Sequence, residues 1–173
     1  MPYTTLHTLT SASIAPGERL PSARLAELQD GAISSLHSND VFAGKRVVLI
    51  GLPGAFTPIC TRIHLPRFVT LAPKILASGF DMIACIAAND PWVLAEWQKS
   101  IDPTASIRFL ADGNLEFGHV CGLTVKQPDL FIGTRLKRFS IIARNCVVER
   151  IAVEASILDV TCTSADALDL TSG

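Results

Sequence analysis

Hydrophobic positions along the chain are concentrated in three short runs, Arg46–Leu52, Phe80–Ala88 and Ser106–Ala111. The apolar centre of the first run, Val47–Ile50, is rich in β-branched residues and lies between Gly44 and Gly51, which is typical of a buried strand in a parallel or mixed sheet. The other two are short and mostly apolar as well. The pattern therefore predicts three buried strands.

Helices are predicted between these strands. Pro91–Lys99 fits a helix that proline opens at its first position, with Asp90 as the capping residue. The preceding helix, which follows Thr57, contains Pro66 and Pro73. Because an interior proline removes a backbone hydrogen bond and kinks a helix, Pro73 leaves the second half of this helix in doubt.

Local signals predict the remaining elements. They are short strands and loops over residues 1–45 with a turn at Gly17–Pro21, a short helix near Leu115–Cys121, a hairpin of two strands at Lys137–Ala143 and Cys146–Val153, and a short capped helix over Ser164–Leu170. This order is that of a thioredoxin-like α/β fold, with a central mixed β-sheet flanked by helices. No repeat or linker divides the chain, so one domain is predicted over residues 1–173.

Composition and charge narrow the possible partners. Of the 173 residues, 49% are hydrophobic, which is enough for one substantial core. The 15 basic and 16 acidic residues nearly balance, whereas nucleic acid or an anionic membrane as a partner calls for a basic excess. No window of 18 uncharged apolar residues and no leader-like start is found. The sequence therefore predicts a soluble protein.

Five cysteines are spread along the chain, an odd number without the dense spacing of a secreted disulfide scaffold. They are Cys60, Cys85, Cys121, Cys146 and Cys162. This usage favours a reducing compartment, and the cytoplasm is the predicted location. A free cysteine is most often a small buried hydrophobe, so a chemical role needs a further signal.

Cys60 has such a signal directly before it. Pro53 and Gly54 end the first apolar run. Thr57 suits the N-cap of the next helix and Pro58 its first position, so Cys60 becomes its third residue. The first turn of a helix offers free backbone N–H groups and a partial positive charge, both of which stabilise an anion. The thiol of Cys60 is therefore predicted to be partly or largely ionised at neutral pH.

The same stretch carries a family resemblance. Pro-Gly-Ala-Phe-Thr-Pro-Ile-Cys, residues 53–60, resembles the active-site motif of the peroxiredoxins. Thr-Arg-Ile-His-Leu-Pro-Arg-Phe, residues 61–68, is similar to the peroxiredoxin 5 (type II, atypical two-cysteine) subfamily. Further matches follow in order at Asn89–Trp92, Phe109–Gly113 and Arg135–Ser140. The resemblance covers the chain from about Gly44 to its C-terminal end.

The resemblance implies a thiol-dependent peroxidase that reduces hydrogen peroxide and small organic hydroperoxides. Cys60 would be the peroxidatic cysteine, which attacks the peroxide and becomes a sulfenic acid. By the same resemblance, Thr57 orients the peroxide and Pro53 walls the pocket against water. The guanidinium of Arg138 would stabilise both the thiolate and the leaving oxygen, a task that suits a permanently charged group with several donors.

Partners are implied in the same way. Thioredoxin, or glutaredoxin with glutathione, would regenerate the enzyme. A homodimer is implied, with the segments around Phe56 and Asn89–Trp92 near the contact. No cofactor and no metal are implied.

Three routes for resolving the sulfenic acid remain open. Cys162 stands where the animal members of the subfamily carry their resolving cysteine, and we expect it in an exposed C-terminal loop. Cys85 lies 25 residues after Cys60, the spacing of the plant members, but its apolar run predicts burial, which makes a thiol inert. The third route is direct resolution by glutathione or glutaredoxin. Cys162 is favoured over Cys85, while Cys121 and Cys146 are interpreted as packing residues.

Other interpretations concern the residues around Cys60. Arg135 is a weaker candidate for the same cluster. His64 lies four residues after Cys60 and is more simply structural than a general base, because an ionised thiol needs none.

A redox sensor, in which oxidation of Cys60 is a signal without turnover, is the alternative class of function. Zinc binding by Cys60, His64, His119 and Cys121 is not indicated, because their spacing matches no zinc site. A thioredoxin-type disulfide reductase is not indicated either, because the chain lacks a C-x-x-C motif.

Overall fold

The chain alternates strands and helices in the order that its apolar runs predict. The computed structural model describes residues 13–170. Its strands are β1 Arg24–Gln29, β2 Ala32–His37, β3 Arg46–Leu52, β4 Met82–Ala87, β5 Arg108–Ala111, β6 Thr124–Gln127, β7 Gly133–Leu136, β8 Phe139–Arg144 and β9 Val147–Val153. Its α-helices are α1 Ser38–Phe42, α2 Leu65–Ala77, α3 Pro91–Ile101 and α4 Glu116–Val120. Shorter turns are a π-helical turn at Cys60–His64 and 3₁₀ turns at Pro128–Leu130 and Ala165–Ala167.

Seven strands form one mixed sheet in the order β2-β1-β5-β4-β3-β8-β9. β3 lies in its interior and is buried along its whole length, as the first apolar run predicts. β3, β4 and β5 are parallel neighbours, and the other pairs in the sheet are antiparallel. β6 and β7 form a separate antiparallel hairpin. This is the predicted thioredoxin-like arrangement, in which α2 and α3 connect the parallel strands.

Helices cover both faces of the sheet and enclose two hydrophobic cores. On one face, α2 and α3 pack around Trp97 in the core that contains Cys60 and Cys85. On the other face, α1 and α4 pack in the core that contains Cys121 and Cys146. Both of the latter are buried, in agreement with their interpretation as packing residues. Within residues 13–170, no helix has the length and apolar character needed to cross a bilayer.

Helix α2 continues through Pro73 to Ala77, so the doubt about its second half was wrong. Phe68, Ala72 and Ile75 are fully buried on its inner face. Pro73 cannot donate one backbone hydrogen bond, but burial of the inner face stabilises the helix enough to compensate for this loss.

Two local predictions about the ends of helices have different outcomes. The predicted cap of α3 is confirmed, because Oδ1 of Asp90 accepts a hydrogen bond from the N–H of Val93 over 2.9 Å. The predicted helix over Ser164–Leu170 is wrong, since only the 3₁₀ turn at Ala165–Ala167 forms. Leu168 is already extended and packs on the core, so its burial replaces further helical turns.

Two other elements were missed from the sequence. Residues 1–45 contain α1 in addition to the predicted strands and loops, and the hairpin β6–β7 was not predicted. The turn predicted at Gly17–Pro21 lies slightly earlier, at residues 16–18, with Gly17 at a positive φ of 87°, because Arg19 already pairs with Val147 in a β-bridge. Predictions that fall on residues 1–12 and 171–173, including the leader-free start, lie outside the described residues.

Candidate active site

The end of β3 brings Cys60 and Arg138 together. β3 and β8 pair antiparallel with Gly51 opposite Phe139, so Arg138, directly before β8, lies beside the end of β3 from which the chain continues to Cys60. Gly51 suits this crossing because a Cβ there would collide with the ring of Phe139. The chain then enters a helix at Pro58. Cys60 is the third residue of that helix, as the sequence predicts.

Thr57 occupies the position before this helix, but its hydroxyl is used differently from the predicted cap. Its carbonyl accepts the first helical hydrogen bond, from the N–H of Thr61 over 2.9 Å. Its hydroxyl donates to the carbonyl of Gly54 over 2.8 Å, whereas a capping side chain accepts from a helical N–H. The side chain of Thr57 therefore closes the turn that precedes Cys60.

The helix is widened for one turn at the cysteine. Cys60–His64 form a π-helical turn, in which the N–H of Leu65 donates to the carbonyl of Cys60. Turns of this kind are rare and are frequently found at functional sites. Pro66 follows directly and lacks the N–H that a regular ladder needs, so the irregular turn is placed where the ladder is interrupted in any case. Cys60 and His64 both remain on the side that meets Arg138.

Arg138 is buried against the thiol. Its Nη1 donates to Sγ of Cys60 over 3.4 Å, and the two residues are 1% and 0% exposed. The contact places a permanently charged donor directly against the sulfur. The structure thus places together two residues that are 78 positions apart in the sequence.

The guanidinium of Arg138 also donates hydrogen bonds to a backbone carbonyl and to an imidazole nitrogen, which fix its orientation. Its Nε and Nη2 donate to the carbonyl of Ile157 over 3.2 and 2.6 Å. Its Nη1 also donates to Nδ1 of His64 over 3.1 Å. The guanidinium is therefore oriented by the fold itself, which is the condition for a donor to stabilise charge during a reaction without reorganising.

His64 lies in the interior between Arg138 and Thr163. Its Nε2 is 2.8 Å from the carbonyl oxygen of Thr163, and because a carbonyl only accepts, Nε2 carries the hydrogen. Nδ1 is then free to accept from Arg138. Burial lowers the pKa of His64 to about 4, with the hydrogen bond to Thr163 opposing the shift and the charge of Arg138 adding to it. His64 is consequently a neutral side chain at physiological pH, which suits the structural interpretation.

Residues 154–164, the Cys162 segment, follow β9 as an irregular stretch. At its start, the carboxylate of Glu154 accepts four hydrogen bonds from two threonines. Thr161 donates from N and Oγ1 over 2.6 and 2.8 Å, and Thr163 donates from N and Oγ1, both over 2.9 Å. Burial raises the pKa of Glu154, but these hydrogen bonds outweigh burial and lower it to about 2.

The two candidate resolving cysteines have opposite environments. Cys162 lies between Thr161 and Thr163 and is exposed, as predicted for a C-terminal loop. Its partial burial and the neighbouring carboxylate of Glu154 raise its pKa. Cys85 is completely buried in β4, which raises its pKa well above its ordinary value, and the proximity of Cys60 adds to the rise. All five cysteines are free thiols in the structure.

A mainly apolar cavity of about 400 Å³ adjoins the site. Pro53, Thr57 and Arg138 contribute to its wall together, as the resemblance implies. The other lining residues are Pro58, Ile59, Leu130, Ile132, Ile157 and Leu158. Because Arg138 both lines this cavity and contacts the buried Cys60, a small molecule that enters meets the guanidinium that holds the sulfur.

Other residues that the sequence singled out have different positions. Arg135 donates from Nε to the carbonyl of Ile132 over 2.8 Å, and its Nη1 lies beside Gly54, in the loop that leads to Cys60. Cys121 lies in the core on the opposite face of the sheet from Cys60, so the two cannot share a metal ion. Among residues 13–170, no three His, Cys, Asp or Glu side chains are grouped to hold a metal.

The two segments expected near a dimer contact meet at the surface. Oδ1 of Asn89 accepts from the N–H of Ala55 over 2.9 Å and ties the two loops together. Phe56 and Trp92 are 56% and 55% exposed. Phe56 also has a positive φ of 58°, an uncommon conformation for a bulky residue.

Comparisons with known proteins agree with this geometry. The Redoxin family model matches residues 15–168. Peroxiredoxin-2B of Arabidopsis thaliana is 35% identical over 158 residues, which cover 90% of this chain and 96% of the relative. Chloroplastic peroxiredoxin-2E of the same plant is 35% identical over 151 residues, covering 85% of this chain, and the chain spans 64% of that longer relative.

Solved structures show the same similarity. Reduced Prx3 of Vibrio vulnificus, in complex with hydrogen peroxide, superposes with a TM-score of 0.84 at 36% identity, covering 89% of this chain and 96% of that one. Peroxiredoxin 5 of Alvinella pompejana gives a TM-score of 0.75 at 31% identity, covering 83% of this chain and 92% of that one.

Proposed function

The chain belongs to the Redoxin family and, within it, to the peroxiredoxins, which are thiol-dependent peroxidases, and we propose that Cys60 is the thiol on which it reduces hydroperoxides. One observation carries the assignment to Cys60. The oriented guanidinium of Arg138 lies 3.4 Å from its sulfur and also faces the adjoining cavity.

In the first step, the thiolate of Cys60 attacks the terminal oxygen of the hydroperoxide. The S–O bond forms while the O–O bond breaks, so the sulfur is oxidised to a sulfenic acid and the peroxide is reduced. The leaving hydroxide or alkoxide takes a proton from water. Arg138 stabilises the negative charge that develops on the leaving oxygen, and the hydroxyl of Thr57 orients the peroxide in the cavity. Pro53 restricts the access of water.

In the second step, Cys162 resolves the sulfenic acid. Its thiol attacks the sulfur of Cys60, a disulfide forms, and the oxygen leaves as water. Cys162 is favoured because it is exposed and because the next residue, Thr163, contacts His64 inside the site. The segment has to move, since Cys60 is buried and bonded cysteines need Cα atoms within about 7 Å of each other. Burial of Cys85 argues against the alternative.

In the third step, an external thiol reductant returns both cysteines to thiols. A thioredoxin-type dithiol, or glutathione with glutaredoxin, is oxidised to its disulfide as the Cys60–Cys162 bond is reduced. Exposure of Cys162 supports this step, because it gives the reductant access to one of the two sulfurs.

Intact-mass analysis after one equivalent of hydrogen peroxide tests the cycle. The wild type should give an intramolecular disulfide, Cys85→Ser should also give it, and Cys162→Ser should give a sulfenic acid or its adduct. Loss of the disulfide in Cys85→Ser instead would assign resolution to Cys85, and a persistent sulfenic acid in the wild type would assign it to an external thiol. Peroxide consumption with dithiothreitol separates a peroxidase, which turns over, from a sensor, which reacts once.

A homodimer and a cytoplasmic location are further parts of this proposal. Phe56 lies in the loop before Cys60 and Trp92 in the first turn of α3, and the hydrogen bond between Ala55 and Asn89 ties the two segments together. Their exposed side chains supply apolar surface for a second copy of the chain. Sedimentation at micromolar concentration under reducing conditions tests the dimer, and a monomer in that experiment contradicts it. The location rests on the five free thiols, which suit a reducing compartment.

A further inference from the structure

The carboxylate of Glu154 organises the Cys162 segment although no step of the peroxidase reaction uses it directly. Glu154 is 7% exposed, and its two carboxylate oxygens are held by the donors of Thr161 and Thr163. These two residues flank Cys162 on either side. Breaking the hydrogen bonds to a buried charge is costly. The loop around Cys162 is therefore held in place at Glu154.

The fastened segment supports the active site through two contacts. The carbonyl of Thr163 accepts from His64, whose other ring nitrogen accepts from Arg138. The carbonyl of Ile157, in the same segment, accepts two hydrogen bonds from Arg138. Both supports of the guanidinium therefore depend on the Cys162 segment staying in place.

Strand pairing fixes the position of Glu154 relative to Arg138. The N–H of Glu154 donates to the carbonyl of Arg138 over 3.0 Å, which continues the pairing of β9 with β8 by one residue. The backbone of Glu154 thus lies opposite the arginine, while its side chain turns to the threonines. It links the sheet that carries Arg138 to the loop that carries Cys162.

We propose that Glu154 is a positioning residue, which holds Arg138 and His64 against Cys60 by fastening the Cys162 segment, and whose release lets Cys162 reach Cys60. The second half of this statement rests on the proposed role of Cys162. While the segment is fastened, Cys60 is reactive toward peroxide and Cys162 is held away from Cys60. Release of the segment removes both supports of Arg138 and exposes Cys60 to the resolving thiol.

The state of Cys162 itself fits this division. In the fastened segment its Sγ donates a weak hydrogen bond to the carbonyl of Val153 over 3.6 Å. The neighbouring carboxylate of Glu154 contributes to raising the pKa of Cys162, which reduces its thiolate fraction. Separation of Cys162 from Glu154 therefore produces a better attacking thiol as well as a mobile one.

The first experiment measures Cys60 alone, in a Cys162→Ser background. Glu154→Gln is added, and the rate of sulfenic acid formation with hydrogen peroxide and the pH midpoint of Cys60 alkylation by iodoacetamide are followed by mass spectrometry. The expected result is a reaction about tenfold slower, as for loss of one charge-assisted hydrogen bond, and a higher alkylation midpoint. A purely structural role would not move the alkylation midpoint.

The matched control is Glu149→Gln in the same background. Glu149 lies on the same strand β9 but pairs with Arg46 and Arg144 away from the site. If Glu154→Gln and Glu149→Gln give the same rate and the same midpoint, the proposal is overturned. Should Glu154→Gln fail to fold, Thr161→Val removes one of the four hydrogen bonds and is expected to shift both values in the same direction by a smaller amount.

The second experiment retains Cys162 and measures the conversion of sulfenic acid to disulfide after rapid mixing with peroxide. Glu154→Gln is expected to accelerate this step relative to the wild type and to Glu149→Gln. An unchanged or slower step overturns the release of Cys162 by Glu154. If the wild type itself forms no disulfide, the proposed role of Cys162 fails, whereas the first experiment still decides whether Glu154 positions Arg138.

Discussion

Arg138 donates a hydrogen bond from Nη1 to Nδ1 of His64 over 3.1 Å. A guanidinium has no acceptor and stays protonated, so Nδ1 presents its lone pair and the ring hydrogen lies on Nε2, toward the carbonyl of Thr163. His64 is therefore a neutral link between the guanidinium and the Cys162 segment. A proton on Nδ1 would replace this hydrogen bond by repulsion between two buried cations.

The first prediction concerns stability in mild acid. The pKa of His64 is about 4 in the folded protein, mainly because of burial, against about 6.5 in an unfolded chain. Between these values the unfolded state binds more protons. The contribution of His64 to the free energy of unfolding is thus complete above pH 6.5 and is lost as the pH falls to 4, by up to about 3 kcal/mol.

Urea denaturation at several pH values between 4 and 7 checks this loss. His64→Gln should lack this part of the acid slope, whereas the exposed His119→Gln should keep it. Burial raises the pKa of Asp112 to about 6, so its contribution changes in the opposite sense, increasing as the pH falls. This effect is common to all three proteins and cancels in the comparison. Equal acid slopes for the wild type and His64→Gln would contradict the prediction.

The second prediction is that Arg138→Lys lowers the rate of Cys60 oxidation by hydrogen peroxide about a hundredfold. An ammonium group is compact and cannot donate at once to Cys60, His64 and the carbonyl of Ile157. Stopped-flow kinetics under single-turnover conditions measures the rate. Arg144→Lys, at the other end of β8, is the control and should react like the wild type. A comparable rate in both variants would remove Arg138 from the reaction.

The third prediction concerns the hydroxyl of Thr57. Thr57→Val keeps the shape of the side chain but loses the hydrogen bond to Gly54 and the hydroxyl proposed to orient the peroxide, so kcat/KM should fall by about tenfold. Thr57→Ser should recover most of the activity. Thr70→Val, which removes an exposed hydroxyl from α2, is the matched control. A wild-type kcat/KM for Thr57→Val would show that the hydroxyl has no role in orienting the peroxide.

The fourth prediction concerns the apolar wall of the cavity. Leu130 lines it and is 48% exposed, so Leu130→Ser should remove contact area from an aromatic hydroperoxide but not from hydrogen peroxide. KM for cumene hydroperoxide should rise by roughly tenfold, given about 1.5 kcal/mol for a leucine contact. Steady-state kinetics with both substrates provides the measurement. Val120→Ser, an exposed valine elsewhere, should change neither KM, and an equal change for both substrates would exclude the cavity as the binding site for the organic group.

Much of the fold around Cys60 was predictable because local signals agree with it. The segment Val47–Ile50 is short, apolar and lies between Gly44 and Gly51, and it forms the centre of the buried strand β3. Proline at position 58 and the preceding Thr57 mark the start of the helix correctly. Local rules erred where packing dominates: the buried face of α2 carries the helix past Pro73, and burial of Leu168 ends the 3₁₀ turn early.

The support of the site was not predictable from spacing. Arg138 was identified only from the resemblance of its motif to the family. Its hydrogen bond to Cys60 depends on the register of β8 against β3. Glu154 was missed because its partners are set by the path of an irregular loop. The available signal was a carboxylate at the end of an apolar strand, followed within nine residues by two threonines around a cysteine. Such a pattern is too weak to assign without coordinates.

The sheet that divides the two cores also limits which thiols can pair in error. Cys121 and Cys146 lie behind a layer of hydrogen-bonded backbone, out of reach of oxidising equivalents that arrive at Cys60. Mispaired disulfides between the two sides would require Cα atoms within about 7 Å across that layer, and therefore loss of the sheet itself. The sheet thus leaves Cys85, in the same core, and the exposed Cys162 as the thiols on the side of Cys60, and it sets Cys121 and Cys146 apart from both.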